Sequence, residues 1–219
     1  MKRIFKISII VLAYLVLCGK SCVSDQDIKL QQQKEATAMM DNIRDEFGME
    51  NLNEDSQFAM EIAAVQKLND FADYLMIYSN SSLDSAFRIR AAGLITDLFV
   101  SRQSDISFEF RDIEKKRRWT LATLLDDSWV DEVDSVYVRF DSIRFMNHLN
   151  QSDALSYEAM MSCYQSVVAH SSTNTYIVPD EQIEVNILVS RCEKSFGSDT
   201  LTIWVVQLGD MDLIKEPLP

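Results

Sequence analysis

Glycine is scarce in this 219-residue sequence, and the few glycines lie far apart. The five positions are Gly19, Gly48, Gly93, Gly197 and Gly209. Their spacing cannot form a G-x-x-x-x-G-K-[ST] loop or a G-x-G-x-x-G turn, the patterns that bring backbone N–H groups against phosphates. Nucleotide binding by these two routes is excluded, and we predict no cofactor.

Common catalytic and zinc-binding motifs are also missing. No G-x-S-x-G, H-E-x-x-H or C-x-x-C sequence occurs, and the chain has only two histidines and four cysteines. These motifs position a serine nucleophile or supply zinc ligands at fixed spacing. The sequence therefore predicts no metal site and no recognisable set of catalytic residues.

Basic residues are outnumbered by acidic ones, 21 against 34, which gives a formal net charge of -13. Proteins that bind nucleic acid gain much of their affinity by neutralising phosphates with Lys and Arg. An acidic chain is poorly suited to that task, and it is equally poorly suited to electrostatic docking on anionic lipid. We therefore predict no nucleic-acid partner.

The sequence also lacks a hydrophobic run of the roughly 20 residues that a transmembrane helix needs. Its first 17 residues combine a positive start (Lys2, Arg3 and Lys6) with an apolar stretch over 7–17. A charged start followed by a short apolar stretch is typical of an export signal. Removing residues 1–21 takes away four basic residues and no acid, so the formal charge moves from -13 to -17.

The apolar stretch runs into the sequence Cys18-Gly19-Lys20-Ser21-Cys22. This segment resembles bacterial lipoprotein signal peptides, in which a small residue usually precedes the cysteine that becomes the lipidated first residue. Ser21 fills that place before Cys22. The resemblance implies a signal peptide over 1–21, a fatty-acyl (palmitate) anchor on Cys22 and a tether over 22–30. The alternatives are lipidation at Cys18, or a plain cleaved signal with no anchor.

The resemblance also implies a destination: the protein is exported and held at the bacterial cell envelope, facing the periplasm or the surface. Buried acyl chains can provide such an anchor without a basic protein face. In an oxidising compartment, Cys163 and Cys192 are candidates for a disulfide. The alternative is two unpaired cysteines buried as small apolar residues.

Three amphipathic helices are predicted in the first half of the chain, over 25–47, 55–78 and 82–101, the last with Ser81 as its N-cap. Over 55–78 we expect one apolar stripe to face the core. Its members are Phe58, Ile62, Val65, Leu68, Ala72 and Leu75.

Alternating apolar residues in the second half predict strands. The segments are 106–110, 136–140, 183–189 and 201–208, with a turn over 196–199. Residues 112–126 fit either a helix or a strand. Residues 153–169 are predicted to form a helix, with a strand as the alternative.

Helices first and strands later predict an α+β fold, with three N-terminal helices packed on a C-terminal, mainly antiparallel sheet. We expect one domain over 31–210, with a helical layer over 31–101, a strand-rich part over 105–208 and a tail over 211–219. This architecture is similar to that of nuclear-transport-factor-2-like domains. The likeness is architectural and implies no function.

The sequence leaves three functional hypotheses. The preferred one is a non-catalytic domain that binds a partner protein or a small molecule at the cell envelope. The alternative is a small hydrolase or isomerase in which His148 or His170 works with a carboxylate, and a cavity converging on either histidine would favour it. A structural envelope component, the third hypothesis, predicts exposed apolar surface on the helical layer.

Overall fold

The computed structural model describes residues 51–107, 118–126, 133–196 and 199–214. The chain divides into two units, 1–49 and 50–219, and every described residue belongs to the second. The signal peptide, Cys18, Cys22, the tether and the predicted helix over 25–47 therefore lie outside the described residues.

Helix α1 spans Glu54–Ser79 and confirms the helix predicted over 55–78. The side chain of Asn53 caps it by accepting a hydrogen bond from the backbone N–H of Ser56 at 2.7 Å. The predicted stripe is partly wrong, because Phe58 and Ile62 are exposed. The face that is buried against the core is Glu61, Ala64, Leu68, Phe71, Ala72, Leu75, Tyr78 and Ser79.

Helix α2 spans Ser85–Leu98, inside the range predicted for the third helix. Its N-cap is Asp84, which accepts a hydrogen bond from the N–H of Ala86 at 2.8 Å, so the predicted cap at Ser81 is wrong. Ser81 instead donates its backbone N–H to the carbonyl of Asp134 at 2.9 Å. Within the described ranges, no helix is both long and apolar enough to cross a membrane.

Six strands form one sheet in the described part of the chain. They are β1 (Asp105–Ser107), β2 (Arg118–Thr120), β3 (Ser135–Asp153), β4 (Ser156–His170), β5 (Thr175–Phe196) and β6 (Asp199–Leu213). The short helix α3 (Leu121–Leu124) follows β2, so the described part of the segment that fitted either structure, residues 118–126, contains a strand and then a helix. Strand β6 continues beyond the predicted domain end at 210, and Met211 in that extension is buried.

The strands lie in the order β2-β1-β6-β5-β4-β3, and every neighbouring pair is antiparallel except β1 with β6. Long consecutive strands joined as hairpins account for most of the sheet. The α+β class and the mainly antiparallel sheet are confirmed. Of the three predicted N-terminal helices, the described residues contain two.

The helix predicted over 153–169 is wrong, because this segment forms strand β4. Seven alternate residues of β4 are buried: Tyr157, Ala159, Met161, Cys163, Gln165, Val167 and Ala169. Most of them lie opposite buried residues of β5, including Val185 and Ile187. This side of the sheet packs against α1 and forms the hydrophobic core, and we call it the helix-covered face.

Strand β3 is one edge of the sheet and is irregular along its length. Its pairing with β4 contains four register shifts, the first between Asp141 and Arg144. Within that shift Ser142 has a φ of 53°, a left-handed conformation that costs energy for a residue with a Cβ. A bulge with this geometry bends the strand and increases its twist.

Candidate functional site

His148 lies in β3 and contacts a carboxylate of the helical layer. Its Nδ1 atom is 3.0 Å from Oε1 of Glu61 on α1. The same carboxylate oxygen accepts the backbone N–H of Leu149 at 3.3 Å. The Glu61 side chain is 9% exposed, whereas that of His148 is 86% exposed. Glu61 therefore joins α1 to β3, and the histidine faces solvent.

His170 is the last residue of β4, and it lies far from His148 along the β3–β4 pair. It pairs with Ser135 at the start of β3, thirteen residues before His148. Its Nδ1 atom is 3.1 Å from the hydroxyl of Thr175, and its ring packs edge-to-face on Tyr137. Among the described residues no carboxylate is bonded to it. The structure therefore does not bring the two candidate histidines together.

The structure does not form the predicted disulfide, because Cys163 and Cys192 are both free thiols. Cys163 pairs with Ile183 of β5, and Cys192 lies nine residues further along that strand. At about 3.3 Å per residue the two cysteines are about 30 Å apart, whereas bridged Cα atoms lie within about 7 Å. Burial raises the pKa of the Cys163 thiol to about 12, as expected for a cysteine packed in a core.

An open groove of about 470 Å³ on the face of the sheet opposite α1 is suited to a ligand. Residues 158, 160, 186 and 188 reach it because they alternate with buried positions on β4 and β5, and residue 147 of β3 lies opposite residue 160. The loop after α2 and the end of β6 complete its wall. The polar lining is Ser101, Gln103, Ser104, Asn147, Glu158, Asn186 and Asp210.

Strand register builds the floor of this groove. Glu158 lies directly opposite Leu188, and Met160 lies opposite both Asn186 and Asn147, so charged, amide and apolar side chains are interleaved. Asn147 is held in place by the hydrogen bond that its Oδ1 atom accepts from the N–H of Met160 at 2.8 Å.

A glycine lies where β6 passes close to β5 beneath the groove. A Cβ atom on Gly209 would lie 3.1 Å from the Cβ of Asn186 and 3.3 Å from its carbonyl oxygen. The next residue, Asp210, accepts the backbone N–H of Asp105 at 2.9 Å and so ties β6 to β1. The bulge between β5 and β6 at this point turns Asp210 into the groove wall.

The groove is acidic. Glu158 and Asp210 are its two charged side chains, and none of the described residues that line it is basic. Neither histidine lines it. In the described part of the chain, no group of three or more His, Cys, Asp or Glu side chains is close enough to hold a metal ion.

The helical layer also exposes four large apolar side chains. Phe58 and Ile62 of α1 are 63% and 56% exposed, and Phe87 and Ile89 of α2 are 66% and 71% exposed. Phe58 and Ile62 are one helical turn apart and share a face, but residues two apart, such as Phe87 and Ile89, do not. The apolar surface expected of a structural component is therefore present but divided.

Sequence reasoning missed the groove because its residues come from four adjacent strands, β3 to β6, and a loop. The polar positions of the β5 alternation, including Asn186, indicated a solvent-facing side of the sheet. Only the strand register shows that Glu158 and Asp210 belong to the same surface.

Comparison with known proteins gives little for this chain. No family model and no curated protein matches it. Among solved structures, a hexachlorocyclohexane dehydrochlorinase (LinA) Type2 aligns over 72% of this chain and 93% of its own, at 7% identity and a TM-score of 0.28. A TM-score this low does not establish a common fold, so no activity or site residue is transferred.

Proposed function

We propose that this chain is an exported, lipid-anchored, non-catalytic binding domain of the bacterial cell envelope, and that a small molecule binds in the groove opposite α1. The single observation that supports binding is the groove itself, which combines polar side chains with the half-buried Met160 and Leu188. Ligand sites typically pair an apolar surface with a few polar groups that fix orientation.

Export and anchoring rest on the sequence of residues 1–22. We propose that Cys22 carries the acyl chains, because the small Ser21 precedes it. Each buried CH₂ group contributes about 0.8 kcal/mol, so several chains on one cysteine hold the domain at a membrane. Cys22→Ala should abolish acyl labelling and release the protein into the soluble exported fraction, whereas Cys18→Ala should change neither. The reverse result would place the anchor on Cys18.

The groove can be tested by filling it. Leu188→Trp places a large ring in the groove. The control, Leu201→Trp, makes the same change on β6, on the same face of the sheet but outside the groove lining. A small-molecule fragment library is screened by ligand-observed NMR against the purified exported protein. We expect to find fragments that bind the unmodified protein and the Leu201→Trp variant but do not bind the Leu188→Trp variant. Identical fragment binding by the two variants would refute a ligand site in the groove.

The alternative function, a hydrolase or isomerase with a His–carboxylate pair, has one supporting observation, the 3.0 Å contact between His148 and Glu61. A general base normally contributes about 100-fold or more in rate. If the pair is structural, His148→Gln leaves the cellular phenotype intact. A lost phenotype with an unchanged circular dichroism spectrum would favour the enzyme.

A further inference from the structure

The α1–α2 turn, the start of β3 and the β4–β5 turn lie together at one end of the domain, which we call the turn end. Its residues are 80–90, 134–137 and 168–177. Backbone hydrogen bonds join these parts. The Ser81 N–H donates to the Asp134 carbonyl at 2.9 Å, and the Asp134 N–H donates to the His170 carbonyl at 2.6 Å. His170 also pairs with Thr175 at the start of β5, so the helices and the strands end side by side.

Exposed apolar side chains are concentrated at the turn end. It carries five of the eleven large apolar side chains that are exposed in the described part of the chain: Leu83, Phe87, Ile89, Tyr137 and Ile177. Ile177 is 70% exposed, as much as Ile89 on α2. Tyr137 and Ile177 both lie opposite Val168 of β4, which gives one apolar row across three strands. At this end, therefore, both the helical layer and the sheet expose apolar side chains.

These side chains lie close to the ends of the elements that carry them. Leu83 lies in the turn before α2, and Ile89 is the fifth residue of α2, about 6 Å from the first along the helix axis. Tyr137 and Ile177 are each the third residue of a strand, about 7 Å from its first residue. A surface that met the turn end would therefore reach all of them within a depth of about 7 Å.

The turn end is neutral, although the whole chain has a formal charge of -13. Asp84 and Asp134 are balanced there by Arg88 and Arg90. Arg88 is occupied, because its Nε donates to the carbonyl of Tyr78 at 2.9 Å. Arg90 is exposed, and no described residue forms a hydrogen bond or an ion pair with its guanidinium. A free guanidinium can donate two parallel hydrogen bonds to a phosphate group.

We propose that the turn end rests on the phospholipid surface and so orients the domain there; this inference depends on the membrane anchoring proposed above. Apolar side chains enter a bilayer interface to a depth of about 5–10 Å, which matches the depth over which the turn end exposes them. The Arg90 guanidinium binds headgroup phosphates. A fluid interface needs no fixed shape complementarity, whereas a protein partner would have to match side chains spread over two layers. None of the groove residues belongs to the turn end, so this contact leaves the groove open.

Photolabelling of the anchored protein tests the contact. The protein is purified from membranes with its acyl chains and reconstituted in phosphatidylcholine vesicles that contain a phospholipid with a diazirine near the headgroup. After illumination, mass spectrometry locates the lipid adducts along the chain and also detects the acyl group. Phe58 and Ile62 provide an internal control, because they are 63% and 56% exposed but lie near the other end of α1.

We expect adducts on residues 83–90, 137 and 177 to be at least about tenfold more abundant than adducts on residues 58–62. The double variant Phe87→Ser with Ile177→Ser should lower the adducts on the rest of the turn end at least about tenfold, because two inserted apolar side chains are lost. The matched control, Phe58→Ser with Ile62→Ser, should leave them unchanged. All four side chains are exposed, so the circular dichroism spectra should not change.

Adducts that are equally abundant at both ends of α1, or that concentrate on residues 58–62, would overturn this orientation. An acylated protein with no adducts at the turn end would also overturn it, and the anchor would stand. Adducts at the turn end of a protein without an acyl group would support the contact and refute the anchor. Neither an acyl group nor adducts would refute both.

Discussion

Phe71 should be the most sensitive position of the hydrophobic core, because its ring joins three parts of the fold. It is fully buried on α1, packs edge-to-face on Phe99 at 5.2 Å and stacks on Phe140 of β3 at 6.4 Å. Burial of a phenylalanine side chain contributes about 1.5–3 kcal/mol, and each aromatic pair adds about 0.5–1.5 kcal/mol. Phe71→Ala should therefore lower the free energy of unfolding by about 3–5 kcal/mol.

Urea unfolding followed by far-UV circular dichroism measures this loss. Domains of ordinary size are stable by about 5–15 kcal/mol. The urea concentration at the unfolding midpoint should therefore fall by a large fraction of its value. Phe71→Leu keeps most of the volume and should cost about 1–2 kcal/mol, since it removes the two aromatic pairs. The control is Phe87→Ala on α2, where the side chain is 66% exposed and the change should stay within about 0.5 kcal/mol. Equal losses for Phe71→Ala and Phe87→Ala would refute this packing.

Three further predictions concern β3, β4 and β6. Because burial raises the pKa of Cys163 to about 12, the folded state holds this proton where the unfolded chain releases it. Stability measured by urea unfolding should therefore fall as the pH rises from about 9 towards 12, and Cys163→Ala should make that fall shallower. Ser142→Gly should raise the unfolding free energy by about 0.5–1 kcal/mol, since it relieves the positive φ, while Ser142→Val should lower it; the opposite order would contradict the bulge geometry. Gly209→Ala should lower the melting temperature, because its Cβ would press on Asn186, and an unchanged value would show that β5 and β6 can separate slightly.

The sequence predicted those elements whose apolar period is unambiguous. The helix over 55–78 and the strands over 136–140, 183–189 and 201–208 all lie inside elements of the structure. The error over 153–169 has a physical cause. Residues such as Ala159, Cys163 and Val167 recur at four-residue spacing, which satisfies a helix, but four is also twice the strand period. Gln165 also interrupts the alternation of apolar and polar residues in this segment, because it is buried although glutamine is usually exposed.

The wrong N-cap of α2 and the partly wrong buried face of α1 have a similar origin, because both depend on tertiary contacts. Ser81 and Asp84 both precede α2, and the choice between them was decided by the bond from the Ser81 N–H to the Asp134 carbonyl, 53 residues away. Phe58 and Ile62 fit the apolar stripe of α1, yet the helix is rotated so that Glu61 faces β3. The groove could not be predicted at all, because strand register is not visible in a single sequence.

The irregular edge strand has a consequence for how the protein behaves at high concentration. The free side of a 19-residue strand would present a long row of unpaired backbone N–H and C=O groups, which is a template for β-sheet association between molecules. The register shifts break that row into short pieces, and the Arg139–Asp141 ion pair places charge beside it. The opposite edge, β2, is only three residues long. Both edges of the described sheet are thus poor acceptors for a strand of another molecule, so the long hairpins can remain extended without promoting aggregation.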